Sequence, residues 1–167
     1  MIRLPNAVAL AALLLAPAGL AAQDTTPTNP LSQFTTHVHA IHWLDGVRYE
    51  AHHWFKQLEP GVLQGLVFRT TSEGAPLVEV EWAIDSAHFA ALPRDQQRHW
   101  HPLLPAVIAG RVTLPDVAEA DEAETLKGIQ TLYAQTINLA GIEGALPKGL
   151  QGVGLATHLA PGETRGH

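Results

Sequence analysis

The chain has no cysteine and a single methionine, Met1, among its 167 residues. The first absence excludes disulfides and thiolate metal sites, and the second removes the thioether ligands that Cu(I) capture uses. Any bound metal must therefore be held by imidazole and carboxylate. Basic residues are scarce as well: ten Lys and Arg stand against sixteen Asp and Glu, a formal charge of −6. That balance argues against nucleic acid and anionic membrane as partners. No stretch approaches the roughly 18 uninterrupted apolar residues of a spanning helix, so no transmembrane anchor is expected. There is no Gly-x-Ser-x-Gly elbow and no glycine loop ahead of a helix to cradle phosphate. Nucleophilic and nucleotide chemistry thus have no handle here, and catalytic residues stay unassigned.

The N-terminus reads as a secretory signal. Arg3 supplies a short positive region, Ala7 to Ala16 is an apolar run, and Ala18-Gly19-Leu20-Ala21-Ala22 supplies small residues for cleavage near Ala22. The chain is then expected to be exported, to the periplasm or outside the cell. Residues 23–35 (Gln23 onward) are polar and proline-broken, a flexible tether. Residues 36–160 form one domain and 161–167 a tail, with length enough for a real core.

Within the domain, Phe34 to Trp43, Tyr49 to Leu58, Leu63 to Thr70 and Val78 to Ile84 read as strands, the last two as a hairpin around Ser72-Glu73-Gly74. In the fourth, Val78, Val80, Trp82 and Ile84 alternate with Glu79, Glu81 and Ala83, which suggests an apolar core face and an acidic solvent face. A short helix begins at Asp85 or Ser86, restarts at Pro93 and ends near His99-Trp100-His101. Val107 to Leu114 reads as a short strand. Ala118 to Ala140 is expected to be the one long helix, with Leu126, Ile129, Tyr133 and Ile137 as its buried stripe. Gly144 to Gly154 is glycine-rich and reads as an irregular return. The fold class is α+β: a small, mainly antiparallel sheet covered by one long and one short helix.

The strongest chemical signal is histidine. Five of the ten, His37, His39, His42, His52 and His53, fall between positions 37 and 53. If the first two strands pair, His37, His42, His52 and His53, with Glu50, supply a set of imidazole and carboxylate ligands. Adjacent His52 and His53 point to opposite faces of a strand, so one of them joins such a site. A polar sheet face with satisfied histidines is the competing reading. His99 suits a helix C-terminus on electrostatic grounds, while His88, His158 and His167 read as ordinary. The four tryptophans read as core. Metal-assisted hydrolysis would need an open coordination position and a base such as Glu50.

Ordered motifs carry a family resemblance. His37-Val38, Ala40-Ile41-His42, Glu50-Ala51-His52-His53, Val80-Glu81-Trp82, Phe89, Leu92-Pro93, Trp100-His101 and Leu146-Pro147 with Gly149 are similar to the oil body-associated protein family, a domain of unknown function. The likeness covers about Thr36 to Leu155. It includes Glu81 and not Glu79, which implies Glu81 as a carboxylate orienting an imidazole, and it brings His101 into the candidate ligand set. His39 and Phe55 stand where the family often has cysteine, and Leu103 and Ala106 where it tends to have histidine and glutamate. Two functions follow as expectations. One is a divalent-metal-binding protein using His37, His42, His52, His53 and His101, with Zn²⁺ the best fit and Fe²⁺, Mn²⁺ or Cu²⁺ open. The other is a non-enzymatic interaction module whose histidines are structural and whose aromatic surface meets an apolar or lipid partner or a small molecule.

Overall fold

The computed structural model of the chain describes residues 29–139 and 154–163. Strands β1 (Thr36–Leu44), β2 (Val47–Glu59), β3 (Val62–Phe68) and β4 (Leu77–Ile84) run antiparallel in sequence order. Asp45-Gly46 makes the first hairpin with φ of 52° and 81°, and Leu44 pairs directly with Val47. A two-residue loop with both φ positive matches strand twist, and Asp-Gly tolerates it. Pro60-Gly61 turns the second hairpin between paired Glu59 and Val62. These four strands lie within a few residues of the sequence expectation.

Two short helices follow, α1 (Ser86–Ala91) and α2 (Arg94–Gln97), and then β5 (His101–Pro102). Asp85 caps α1 through the backbone N–H of His88 and also accepts from the His88 ring, 2.8 Å away. Residues 99–101 leave the helix, so His101 sits on a strand rather than near a helix end. Val107 to Leu114, expected as a strand, instead takes in the end of helix α3 (Leu104–Ile108) and a two-residue strand β6 (Val112–Thr113).

The expected long helix is corrected. Helix α4 covers only Glu119–Ile129, and β7 occupies Tyr133–Asn138 beside β4. Gln130 and Thr131 close the helix, and the sequence Tyr-Ala-Gln-Thr-Ile-Asn pairs residue for residue with Glu79–Ile84. Its β-branched and aromatic side chains suit that slot better than a helix end. Leu126 and Ile129 do pack on the core, whereas Tyr133 stacks on Phe89 with centroids 3.9 Å apart. The expected glycine-rich return, Gly144 to Gly154, lies outside the described residues except for Gly154, and the expected leader lies outside them as well. No helix among the described residues is long and apolar enough to cross a membrane.

The sheet order is β5-β7-β4-β3-β2-β1-β6, and β8 (Gly154–Ala156) also pairs with β7. Just beyond β8, Thr157 exchanges two backbone hydrogen bonds with Trp43 of β1, at 3.0 and 3.2 Å. The sheet therefore curls until residues 154–157 bridge its two edges, a closure that leaves fewer edge groups unpaired. Inside, Val38, Ala40, Phe55, Ala83, Ala106 and Val112 form one apolar group. Leu44, Tyr49, Ala51 and Val67 form another. A buried polar cluster borders both.

Candidate metal centre

Strand periodicity decides what enters the curled sheet. On β1, Val38, Ala40, His42 and Leu44 share the inner face; on β2, Tyr49, Ala51, His53 and Phe55 do. Register then sets rows across the interior. His53 lies opposite Val67, which lies opposite Glu79, which lies opposite Asn138. One step along, Phe55, Gly65, Glu81 and Thr136 make the next row. Gly65 is required there: a Cβ would meet the Phe55 ring at 2.6 Å.

Glu79 and Glu81 thus face inward, not to solvent. Both are fully buried, and the apolar alternates Val80 and Trp82 are half-buried on the other face, where Trp82 lines an open cavity with His88 and Ala91 of α1. This reverses the expected assignment of the two faces of β4. The alternation was legible, but Val and Trp suit a half-buried outer face as well as a core.

Four side chains from four places converge. His42 Nε2 lies 2.8 Å from His158 Nε2 and 3.1 Å from His53 Nε2. Glu81 Oε2 lies 3.6 Å from His53 Nε2 and 3.8 Å from the Nε2 atoms of both His42 and His158. All four ligand atoms fall within 4.8 Å of one another, and all four residues are buried. A tetrahedral ion with bonds near 2.0–2.1 Å places its ligand atoms about 3.3–3.4 Å apart. The observed separations straddle that value.

Outer partners orient each imidazole. His42 Nδ1 is 2.8 Å from the Glu79 carboxylate, and His53 Nδ1 is 3.1 Å from the Val38 carbonyl. A carboxylate and a carbonyl only accept, so both Nδ1 atoms carry the proton and both Nε2 atoms turn a lone pair inward. His158 Nδ1 is 2.8 Å from His101 Nε2, which also accepts from the His158 backbone N–H at 3.3 Å. An accepting His101 Nε2 makes His158 Nδ1 the donor and gives His158 the same tautomer. Three neutral imidazoles in this state present only acceptors to one another across 2.8–3.1 Å. A positive charge among them, a metal ion or a proton on one Nε2 facing Glu81, resolves that conflict. Glu79 is itself held by the Tyr49 hydroxyl and, at 3.2 Å, by the Asn138 amide, and Glu81 accepts from the Thr136 hydroxyl. Imidazoles backed by carboxylates and carbonyls are the usual outer arrangement of metal sites.

The two carboxylates and His158 have the charge states a cation site requires, whereas His53 in the metal-free protein leans toward imidazolium. Burial opposes the charge on Glu81, but facing His158, His53 and His42 hold its carboxyl well below the usual range. Burial likewise opposes ionisation of Glu79, and His42, Tyr49 and Asn138 outweigh it. Burial, reinforced by the His42 charge, keeps His158 well below the ordinary imidazole value despite Glu81. His53 is lowered by burial but raised more by Glu81 and Glu79, so its net shift is upward.

The structure divides the expected ligand set between two faces. His42 and His53 lie inside with Glu81; His37 and His52 lie outside with His39 and Glu50. His101 reaches the inner cluster through His158. Glu50, the candidate base, is exposed on the outer face. There, His37 Nδ1 is 3.0 Å from Asp116 and its Nε2 is 3.2 Å from His52 Nδ1. Burial, partly offset by Glu50, lowers His39, and burial with the neighbouring His39 and His37 lowers His52. Leu103 and Ala106 are both buried, Ala106 within the apolar core, and the four-residue cluster assembles without either position. Sequence reasoning missed His158, which lies 57 residues beyond even its hydrogen-bond partner His101. It also missed Glu79, for which its shared face with Glu81 was the available signal.

Residues 27–153 match the family described as "Protein of unknown function (DUF1264)". Oil body-associated protein 1A of Zea mays is 32% identical over 72% of this chain and 53% of its own length. Oil body-associated protein 2B of Zea mays is 29% identical over 87% of this chain and 59% of its own. Oil body-associated protein 2C of Arabidopsis thaliana is 30% identical over 64% of this chain and 46% of its own. The chain thus spans about half the length of these relatives. No solved structure matches it. With most of its length matched, the chain belongs to the DUF1264 family, and its curated relatives are oil body-associated proteins.

Proposed function

We propose that the protein binds one divalent metal ion inside the curled sheet, through Nε2 of His42, His53 and His158 and the carboxylate of Glu81. The observation that carries this reading is the convergence of three imidazole lone pairs and a carboxylate, each imidazole already fixed from behind. Zn²⁺ suits a thiol-free, imidazole-rich tetrahedral set. Four protein ligands complete a tetrahedral shell, which favours a structural ion over one with an open catalytic position. The ion's work would be mechanical. It would tie β1, β2 and β4 to the segment that carries His158 and closes the sheet.

The test is metal content and melting of the full chain. Elemental mass spectrometry is expected to find about one equivalent, and a strong chelator is expected to lower the melting temperature. His53→Ala and His158→Ala should each abolish both effects, and His99→Ala should leave them. A metal-free protein whose melting is unmoved by Zn²⁺ or chelator rejects the reading. We also propose that the chain is exported, on the strength of Arg3 and the apolar run Ala7 to Ala16.

A second reading draws on a different feature. An open cavity of about 340 Å³ on the outer face is lined by Leu31, Phe34, Trp54, Leu66 and Phe68. Together with the oil-body association in the relatives' names, this supports contact with an apolar or lipid surface. Flotation with neutral-lipid droplets, lost on Phe34→Ser with Phe68→Ser, would support it; equal recovery of wild type and variant below the droplets would reject it.

A further inference from the structure

The imidazoles on the outer face of the β1–β2 hairpin form a second constellation, separate from the inner one. His39 and His52 are directly opposed partners in the β1–β2 register. Directly opposed residues place their Cβ atoms about 4.5–5.5 Å apart on one face. Their rings lie 4.9 Å apart, and Glu50, two residues before His52 and on the same face, brings Oε2 to 3.9 Å from His39 Nε2. One ligand atom from each of these three residues falls within 4.8 Å of the others.

The constellation is also oriented from behind. The Asp116 carboxylate accepts from His37 Nδ1 at 3.0 Å, so His37 Nε2 is an acceptor. His52 Nδ1, 3.2 Å from it, must then donate, which leaves His52 Nε2 as the lone-pair nitrogen. This is a carboxylate–imidazole chain of the kind that prepares a histidine for metal. We infer that His39, His52 and Glu50 form a second, solvent-facing site for a divalent transition-metal ion, with Asp116 and His37 positioning His52.

The geometry needs small adjustment. Ligand atoms about 2.0–2.1 Å from an ion lie about 3.3–3.4 Å apart in a tetrahedron. Glu50 can close the remaining gap by rotation, because its side chain is 60% exposed. Three protein ligands and open solvent leave coordination positions for water. The site should therefore exchange its ion readily and bind more loosely than the enclosed inner set. Cu²⁺ is the probe of choice, since imidazole and carboxylate sites bind it most tightly among the common divalent ions. A reporter is built in: Trp54 stacks on His37 with centroids 4.6 Å apart and lies 6.5 Å from the His52 ring.

The inner and outer sets share no ligand, so this inference stands apart from the inner centre. The experiment loads the full chain with Zn²⁺, dialyses away loosely held ion, and titrates in Cu²⁺, reading heat and tryptophan fluorescence together, with elemental analysis to check that the inner Zn²⁺ is retained. One further equivalent with quenching is expected. His39→Ala and His52→Ala should remove that equivalent, and Glu50→Gln, which disturbs folding least, should weaken it at least several-fold. Trp54→Phe should keep the equivalent and lose most of the quenching. His158→Ala should leave the outer equivalent intact, which separates it from the inner centre. Overturning results are no further equivalent in the wild type, an equivalent unchanged in both histidine variants, or one that vanishes with His158→Ala.

Discussion

An imidazole chooses its role by which nitrogen holds the proton, and here that choice is made behind the cluster. Glu79 and the Val38 carbonyl accept from His42 and His53, and His101 accepts from His158. Acid titration of the metal-free protein should report the same cluster. Glu79 and Glu81 have folded pKa values below their ordinary 4.5. The unfolded chain therefore takes up protons on them first, so their stabilisation is present above pH 4.5 and lost as pH falls through the lowered values. His158, held below 6.5, adds a loss that begins as pH drops under 6.5. His53, raised above 6.5, works in the opposite sense: its contribution is full below 6.5 and fades as pH rises through its raised value. Melting of chelated protein between pH 8 and 3 is thus expected to fall more steeply below pH 4.5 in wild type than in Glu81→Gln. Parallel curves would show that Glu81 is not the ionised partner of these histidines. The histidine supply was plain in the sequence, but the tautomers were not, because each is set by an acceptor on another strand.

Among the elements, two contacts hold the interior in shape. Phe55 lies over Gly65, where an added Cβ would come within 2.6 Å of its ring. Gly65→Ala should destabilise by about 1–3 kcal/mol, the usual cost of overpacking a filled core. Denaturant melting checks this, and Phe55→Leu in the same chain should recover part of the loss. The segment after β8 is latched by Arg111, whose Nη2 lies 2.8 Å from Glu163 while its guanidinium sits 5.3 Å from the Trp43 ring centroid. Glu163→Gln removes a charge-assisted fork on the exposed side, worth at most about 1 kcal/mol. Faster amide exchange at Trp43 and Thr157 is the expected readout, with β2 and β3 unchanged. Hairpins β1–β2 and β3–β4 were readable because alternation and turn residues are local signals. The split of residues 118–140 into helix and strand was not. Leu126, Ile129, Tyr133 and Ile137 satisfy a helical period, and only the vacant side of β4 makes the last two strand residues.

At the scale of the whole molecule, closure and metal binding are one event in the proposed reading. Residues 154–157 bridge the sheet edges, and the next residue, His158, enters the cluster. A chelator is therefore expected to lower the whole melting transition as a single unit, not to loosen one loop, as calorimetry would show. The sequence by itself determined the available chemistry: no thiol, abundant imidazole, carboxylates in alternation, four strands with their turns, and the family likeness. Only the tertiary structure decided which of those groups meet. A strand sends neighbours such as His52 and His53 to opposite faces, so proximity in sequence separates them in space. The curl of the sheet does the reverse, bringing His158 to 2.8 Å from His42 across 116 positions. Local periodicity encodes the first effect; the second arises from strand pairing and closure, which no local pattern records.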